Sequence, residues 1–195
     1  PKELRDKAML ELLYATGMRV SELITVKLSD VNLILNYVVC RDGEKERVIP
    51  FGDNAKAALD HYLDRFVWGG LQQTEEEPYP YGIYGIPDWH VLRNSKEDGT
   101  RGKLHIWRIY DYPHIALTWY NMYLTAVRYP NLKFQLEPIV YLKRAYGTAC
   151  GMFTIPSEIE DWSAYKTGLY NECVIPKIIA ALRENGMKAQ ADRLE

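Results

Sequence analysis

Arg19 stands in the run Leu12-Leu13-Tyr14-Ala15-Thr16-Gly17-Met18-Arg19-Val20-Ser21-Glu22-Leu23. A guanidinium at a break between two helices can grip a phosphate through two parallel hydrogen bonds, a geometry that a lysine ammonium lacks. Gly17 supplies the turn, because glycine enters the left-handed backbone region at little cost. Ser21 is placed to help restart the second helix as a cap. The same spacing also fits a surface arginine that follows a helix C-cap, a favourable station for a cation. The residues alone leave both readings open.

The elements that must hold Arg19 follow from periodicity. Lys2 to Thr16 carries Leu4, Ala8 and Leu12, with Met9 and Leu13 beside them, at a helical period. Ser21 to Lys27 reads as a short helix. Val31 to Leu35 and Tyr37 to Cys40 read as strands, Arg41 to Glu44 as a turn, and Glu46 to Phe51 as the returning strand. Asp53 caps a helix that runs through Phe66 and turns Ala55, Leu59, Tyr62, Leu63 and Phe66 inward. Further on, Pro113 opens a helix over His114 to Tyr129. Leu132 to Tyr146 is partly helical and broken by Pro138. Glu172 to Asn185 is a helix ended by Gly186, and Met187 to Leu194 is another.

Bulk properties narrow the function classes. The 195 residues suffice for one domain or two small ones, and 47% hydrophobic with 26% charged residues is an ordinary globular balance. The net charge is −2 and the pI is near 6.2, whereas a nucleic-acid binder usually carries a basic domain or face. Residues 1–66 hold ten Lys/Arg against eleven Asp/Glu, so DNA binding there needs clustering that composition does not reveal. Cys40, Cys150 and Cys173 show no CxxC spacing, which argues against a disulfide framework or a zinc site. No apolar run approaches about 18 residues, so no membrane span is expected. The chain begins at Pro1 rather than Met. It reads as a fragment, and the absence of a targeting segment carries little weight.

Residues 5 to 50 carry Arg5-Asp6-Lys7-Ala8-Met9-Leu10-Glu11, the Arg19 run, Lys27-Leu28-Ser29-Asp30-Val31 and Gly43-Glu44-Lys45-Glu46-Arg47-Val48-Ile49-Pro50. In order and spacing this strongly resembles the start of the catalytic domain of Xer-type tyrosine recombinases and phage integrases, over residues 1–66. The resemblance implies site-specific DNA recombination or integration through a 3′-phosphotyrosine intermediate, with duplex DNA as partner, no cofactor and a cytoplasmic location. It puts Arg19 on the first of the family's two phosphate-binding arginines. It also makes Lys45 and Arg47 contacts to the DNA backbone, although both residues equally suit solvation of an edge strand. One departure stands out. The family's catalytic lysine lies three positions before Lys45, and here that position is Asp42. A carboxylate repels phosphate and does not protonate a leaving 5′-oxygen at neutral pH. Arg41 and Lys45 are the cationic neighbours available as partial substitutes.

Composition changes sharply after Phe66. All five Trp (Trp68, Trp89, Trp107, Trp119, Trp162) and twelve of the fifteen Tyr come later. Residues 67 to 90 are rich in Gly, Pro and Tyr, which break both helical and strand periods, so a loop is expected there. The resemblance implies a second motif, His-x-x-Arg, followed by a histidine and a tyrosine nucleophile nine residues later. The chain offers His90 and Arg93, then His114 and Tyr123, but Lys96 to Gly102 form a turn where the family has a long helix. The alternative is that these four are ordinary loop and core residues.

The later part is also similar, in composition and helix rhythm, to bacterial glycoside-hydrolase-like α/α toroids. That likeness implies aromatic faces stacking on sugars and paired carboxylates as acid and base. The candidate acids are Glu75, Glu76, Glu77, Asp88, Glu158, Glu160 and Asp161, with a solvated loop and a helix-start acidic cluster as the competing readings. A third reading joins two unrelated pieces, each exposing apolar surface and prone to self-association. The expected fold is mainly α with a small antiparallel β-sheet near residues 31–51. Its parts are a recombinase-like half-domain at 1–66, a Gly/Pro/Tyr-rich loop region at 67–112 and a helical aromatic-rich segment at 113–195. The expected activity is recombination that is incomplete or inactive alone, with a carbohydrate-active fragment or a non-functional fusion remnant as alternatives.

Overall fold

A computed structural model describes residues 2–27, 30–32, 35–42, 45–85, 106, 108–131, 134–166 and 168–195. The chain divides into two units, one of residues 1–67 with 121–138, the other of residues 68–120 with 139–195.

The first unit opens with α1 (Lys2–Thr16) and α2 (Val20–Leu23). Three antiparallel strands follow: β1 (Val31–Asn32), β2 (Tyr37–Asp42) and β3 (Lys45–Pro50), in the order β1-β2-β3. The β2–β3 register pairs Val38 with Ile49, Cys40 with Arg47 and Asp42 with Lys45. Alternation along β2 turns Val38 and Cys40 into the core, where both are 0% exposed. Next comes α3 (Asp53–Tyr62), which widens into a π-helical turn at Leu63–Val67. Ala8 and Leu12 of α1, four residues apart on one face, are buried along with Ala55, Leu59 and Leu63. Asp53 does not cap α3. It is the first helical residue, and Gly52 in an extended conformation takes the cap position.

Residues 121–138 also belong to this unit. Met122, Tyr123 and Ala126 are buried. The stretch beyond them is tied to α3: the Gln135 N–H donates to Asp60 Oδ2 at 3.1 Å, and Lys56 Nζ lies 3.5 Å from the centre of the Phe134 ring. Lys56 and Asp60, one helical turn apart, are 3% and 1% exposed.

The second unit holds the loop of residues 68–85 and the helical remainder. Two buried glutamines organise the loop. Gln72 accepts the Trp119 indole N–H at 2.8 Å and donates to Thr148 Oγ1 at 2.7 Å. Gln73 donates to the Tyr84 hydroxyl at 3.1 Å and accepts the Tyr79 N–H at 2.9 Å. The Tyr79 bond, with a further one from Gln72 Nε2 to the Tyr81 carbonyl at 3.2 Å, satisfies backbone groups that a Pro- and Gly-rich stretch cannot pair through regular structure. The helices are α4 (Asp111–Arg128, of which residues 111–120 fall in this unit), α5 (Pro138–Glu160), α6 (Val174–Glu184) and α7 (Lys188–Leu194). Pro138 does not break a helix. It starts α5, a position where its missing N–H costs nothing. α5 continues past Pro156 to Glu160, so Glu158 and Glu160 occupy a helix end, not a helix start. The Arg144 guanidinium sits between two indoles, 4.3 Å from the Trp68 ring and 4.9 Å from the Trp119 ring. The Tyr81 ring lies flat against Gly147 of α5. Gly186 adopts φ +74° just past α6.

Candidate functional site

The break between α1 and α2 is built residue by residue. Gly17 has φ +60°, and its N–H closes the last turn of α1 by donating to the Leu13 carbonyl at 2.8 Å. Met18 is 5% exposed and anchors the turn in the core, while the next residue, Arg19, faces out. Arg19 takes the cap position of α2 with an extended backbone (φ −73°, ψ 151°), and its carbonyl accepts the N–H groups of Glu22 and Leu23 at 3.0 Å each. Ser21, expected as the cap, instead lies inside the helix. The capping partner is Glu22, whose Oε2 accepts the Arg19 backbone N–H at 2.6 Å.

Glu22 is the residue that the sequence reading passed over. Its carboxylate is 4% exposed and takes three hydrogen bonds from Arg47 of β3: Nε to Oε1 at 3.2 Å, Nη2 to Oε1 at 2.9 Å and Nη2 to Oε2 at 2.7 Å. The Arg47 guanidinium, followed by the Arg19 N–H, holds the Glu22 carboxyl below the ordinary carboxylate value of 4.5. A signal for this was present, since a Glu three positions after a helix cap is half of a capping box.

Behind α2, a cleft of about 380 Å³ is lined by Glu22, Thr25, Val26, Lys27, Asp30, Val39 and Arg41. Arg41 is paired there with the buried Asp30 carboxylate and with Glu46 at 3.3 Å. Arg41 therefore has two carboxylate partners already, which weakens it as a substitute for the missing lysine. Lys45 is exposed at the start of β3, with Asp42 as its backbone neighbour on β2. The charge beside α2 is thus mixed: Arg19, Arg41 and Arg47 are set among Glu22, Asp30 and Glu46.

The other candidates fall as follows. His90 and Arg93 lie outside the described residues, as does Asp88. Tyr123 is described in α4 and is 6% exposed. His114 is exposed in the first turn of α4 and shares a 2.8 Å hydrogen bond between its Nδ1 and the Asn171 amide nitrogen. Glu75 accepts the Tyr81 hydroxyl, and Glu77 accepts the Thr74 N–H at 2.7 Å, so both serve the loop of residues 68–85. Glu158 is exposed, and Asp161 has φ +53° directly after α5. Among the described residues no group of three or more His, Cys, Asp or Glu side chains could hold a metal ion, and no helix is long and apolar enough to cross a membrane.

Comparison with known proteins matches two separate stretches of the chain to two families. Residues 1–78 match the phage integrase family, and residues 93–195 match a family of unknown function (DUF5695). The chain is similar to the tyrosine recombinase XerD of Halalkalibacterium halodurans, with 59% identity over 64 residues, 32% of this chain and 21% of that protein. XerD of Oceanobacillus iheyensis is 54% identical over 65 residues, 33% and 20% of the two chains. XerD of Staphylococcus aureus is 46% identical over 103 residues, 51% and 35% of the two chains. The chain thus spans between a fifth and about a third of the length of these relatives. Its N-terminal segment is of the Xer-type tyrosine recombinase kind, and the chain as a whole, through residues 93–195, belongs to the DUF5695 family of unknown function.

Proposed function

We propose that residues 1–67 act on duplex DNA as part of a tyrosine-recombinase site for strand exchange or integration, and that the chain is incomplete for strand cleavage by itself. Arg19 grips a backbone phosphate, and Lys45 contacts the neighbouring backbone. The observation that carries this reading is the exposed Arg19 guanidinium at a capped helix break, inside a segment 54% to 59% identical to tyrosine recombinases. Two features favour incompleteness. The position of the family's lysine is Asp42, and Tyr123, the candidate nucleophile, is 6% exposed, whereas an attacking phenol must reach a phosphate. His90, Arg93 and Tyr123 complete the catalytic set only if they meet Arg19 at one phosphate.

The test is duplex DNA binding by fluorescence anisotropy over a salt series. Binding should weaken with salt, and Arg19→Ala should lower both the affinity and the steepness of the salt dependence, by about 0.9 in slope for one lost phosphate contact. Absence of duplex binding, or an Arg19→Ala curve that overlays the parent, overturns the reading. A nicked DNA substrate should trap no covalent protein–DNA adduct, and an adduct that disappears in Tyr123→Phe overturns the incompleteness. On the same reading the seam near residue 67 joins two pieces. The exposed Leu10, Tyr14, Val20 and Ile24 then favour self-association, which sedimentation velocity measures.

A further inference from the structure

We propose that Arg47 is a positioning residue for Arg19, acting through Glu22, rather than a contact to DNA. The proposal rests on the reading of Arg19 as a phosphate grip and says how that grip is held in place. Three observations lead to it. Arg47 makes three hydrogen bonds to the Glu22 carboxylate, engaging Nε and Nη2 in a fork. Glu22 is nearly sealed from water, so this fork bonds a carboxylate that would otherwise be a buried charge with few partners. The same Oε2 atom that takes Arg47 Nη2 at 2.7 Å takes the Arg19 N–H at 2.6 Å. One oxygen therefore couples β3 to the cap residue of α2.

The coupling matters because α2 has only four residues and cannot hold its own first turn. Gly17, just before it, adopts a left-handed backbone and adds no stiffness. What fixes the Arg19 backbone is the core anchor Met18 on one side and the Glu22 carboxylate on the other. Removing Arg47 leaves Glu22 free to seek water, and its hold on the Arg19 N–H loosens. The planar fork of an arginine satisfies both carboxylate oxygens at once, which an ammonium does not do.

Two readouts on the full 195-residue chain test this, one of them without DNA. In Arg47→Met, hydrogen exchange at the Arg19 amide should speed up about tenfold or more. The Gly17 amide, bonded to the Leu13 carbonyl at the end of α1, should be unchanged and serves as the control for folding. Glu22→Gln should act in the same direction, and Arg47→Lys should not restore protection. In DNA binding, Arg47→Met should weaken affinity with the salt slope of the parent, and should add little to Arg19→Ala. The proposal is overturned if Arg19 amide exchange in Arg47→Met equals the parent's. It is also overturned if the salt slope drops by about 0.9 and Arg47→Lys restores it, which marks a direct phosphate contact. A parent chain that binds no duplex overturns the DNA reading, while the exchange measurement still decides whether Arg47 fixes the Arg19 turn.

Discussion

Arg47 and Glu22, 25 residues apart in sequence, meet as a forked ion pair between β3 and α2, with Nη2 to Oε2 at 2.7 Å. A carboxyl whose folded pKa is depressed stabilises the fold above its unfolded pKa. It loses that contribution as pH falls through the folded pKa. Glu22 is such a group, held down first by Arg47 and then by the Arg19 N–H. Denaturant titration at neutral pH should find Glu22→Gln less stable than the parent. The gap should close as pH is lowered beneath about 4.5. A gap that stays constant through the acid range would mean that the charge contributes nothing.

Gly17→Ala should destabilise the first unit even though an added Cβ meets nothing within 4 Å. The cost is conformational, because φ is +60° there, and should be about 1–2 kcal/mol in urea unfolding. Gly17→Asn should cost less, since asparagine tolerates this region. Equal losses for the two variants would remove the backbone explanation.

Gly147→Ala should be among the most harmful changes in the second unit. A Cβ there would come within 2.1 to 2.4 Å of three carbons of the Tyr81 ring. Overpacking of this kind costs about 1–3 kcal/mol, or more if the ring cannot move. Tyr81 has φ +68° and its hydroxyl is bonded to Glu75, which limits its freedom to move away. A Tyr81→Leu background should relieve much of the penalty. Simple additivity of the two changes in thermal unfolding would show that the ring and Gly147 do not oppose each other.

Arg144→Met should lower the stability of the second unit by roughly 2 kcal/mol, the scale of a desolvated cation–π contact. The residue is 7% exposed, with its guanidinium 4.3 Å and 4.9 Å from two indole rings. Arg144→Lys should recover only part, because an ammonium lacks the planar face with which a guanidinium packs on an indole. Altered emission from Trp68 and Trp119 reports the same event, and an unchanged spectrum with unchanged stability would refute it.

Local patterns made much of the first unit legible. The bounds of α1, the left-handed Gly17 and the β2–β3 hairpin all follow from period and turn chemistry near each residue. Arg19 was legible as a cation at a helix break, and its cap geometry confirms that placement. What stayed hidden depends on partners distant in sequence. Ser21 is a better intrinsic cap than Arg19, yet the backbone runs extended at Arg19 and Glu22 does the capping, with Arg47 holding it from another element. Pro138 looked like a helix breaker because proline has two opposite meanings, and which one applies depends on where the helix begins. The buried Gln72 and Gln73 were unreadable, since a glutamine becomes a core residue only when partners such as Trp119 and Thr148 arrive. The membership of residues 121–138 in the first unit left no mark in the composition of either stretch.

That last feature bears on where the first unit can be cut. Phe134 and Gln135 cover Lys56 and Asp60, an ammonium and a carboxylate that a free recombinase-like segment cut at Val67 would lay open to solvent. Residues 121–138 thus form part of the packing of the unit that holds residues 1–67. Cutting the chain at Val67 would strip both charged groups of these partners, so the packing of the first unit does not end where its first 67 residues end.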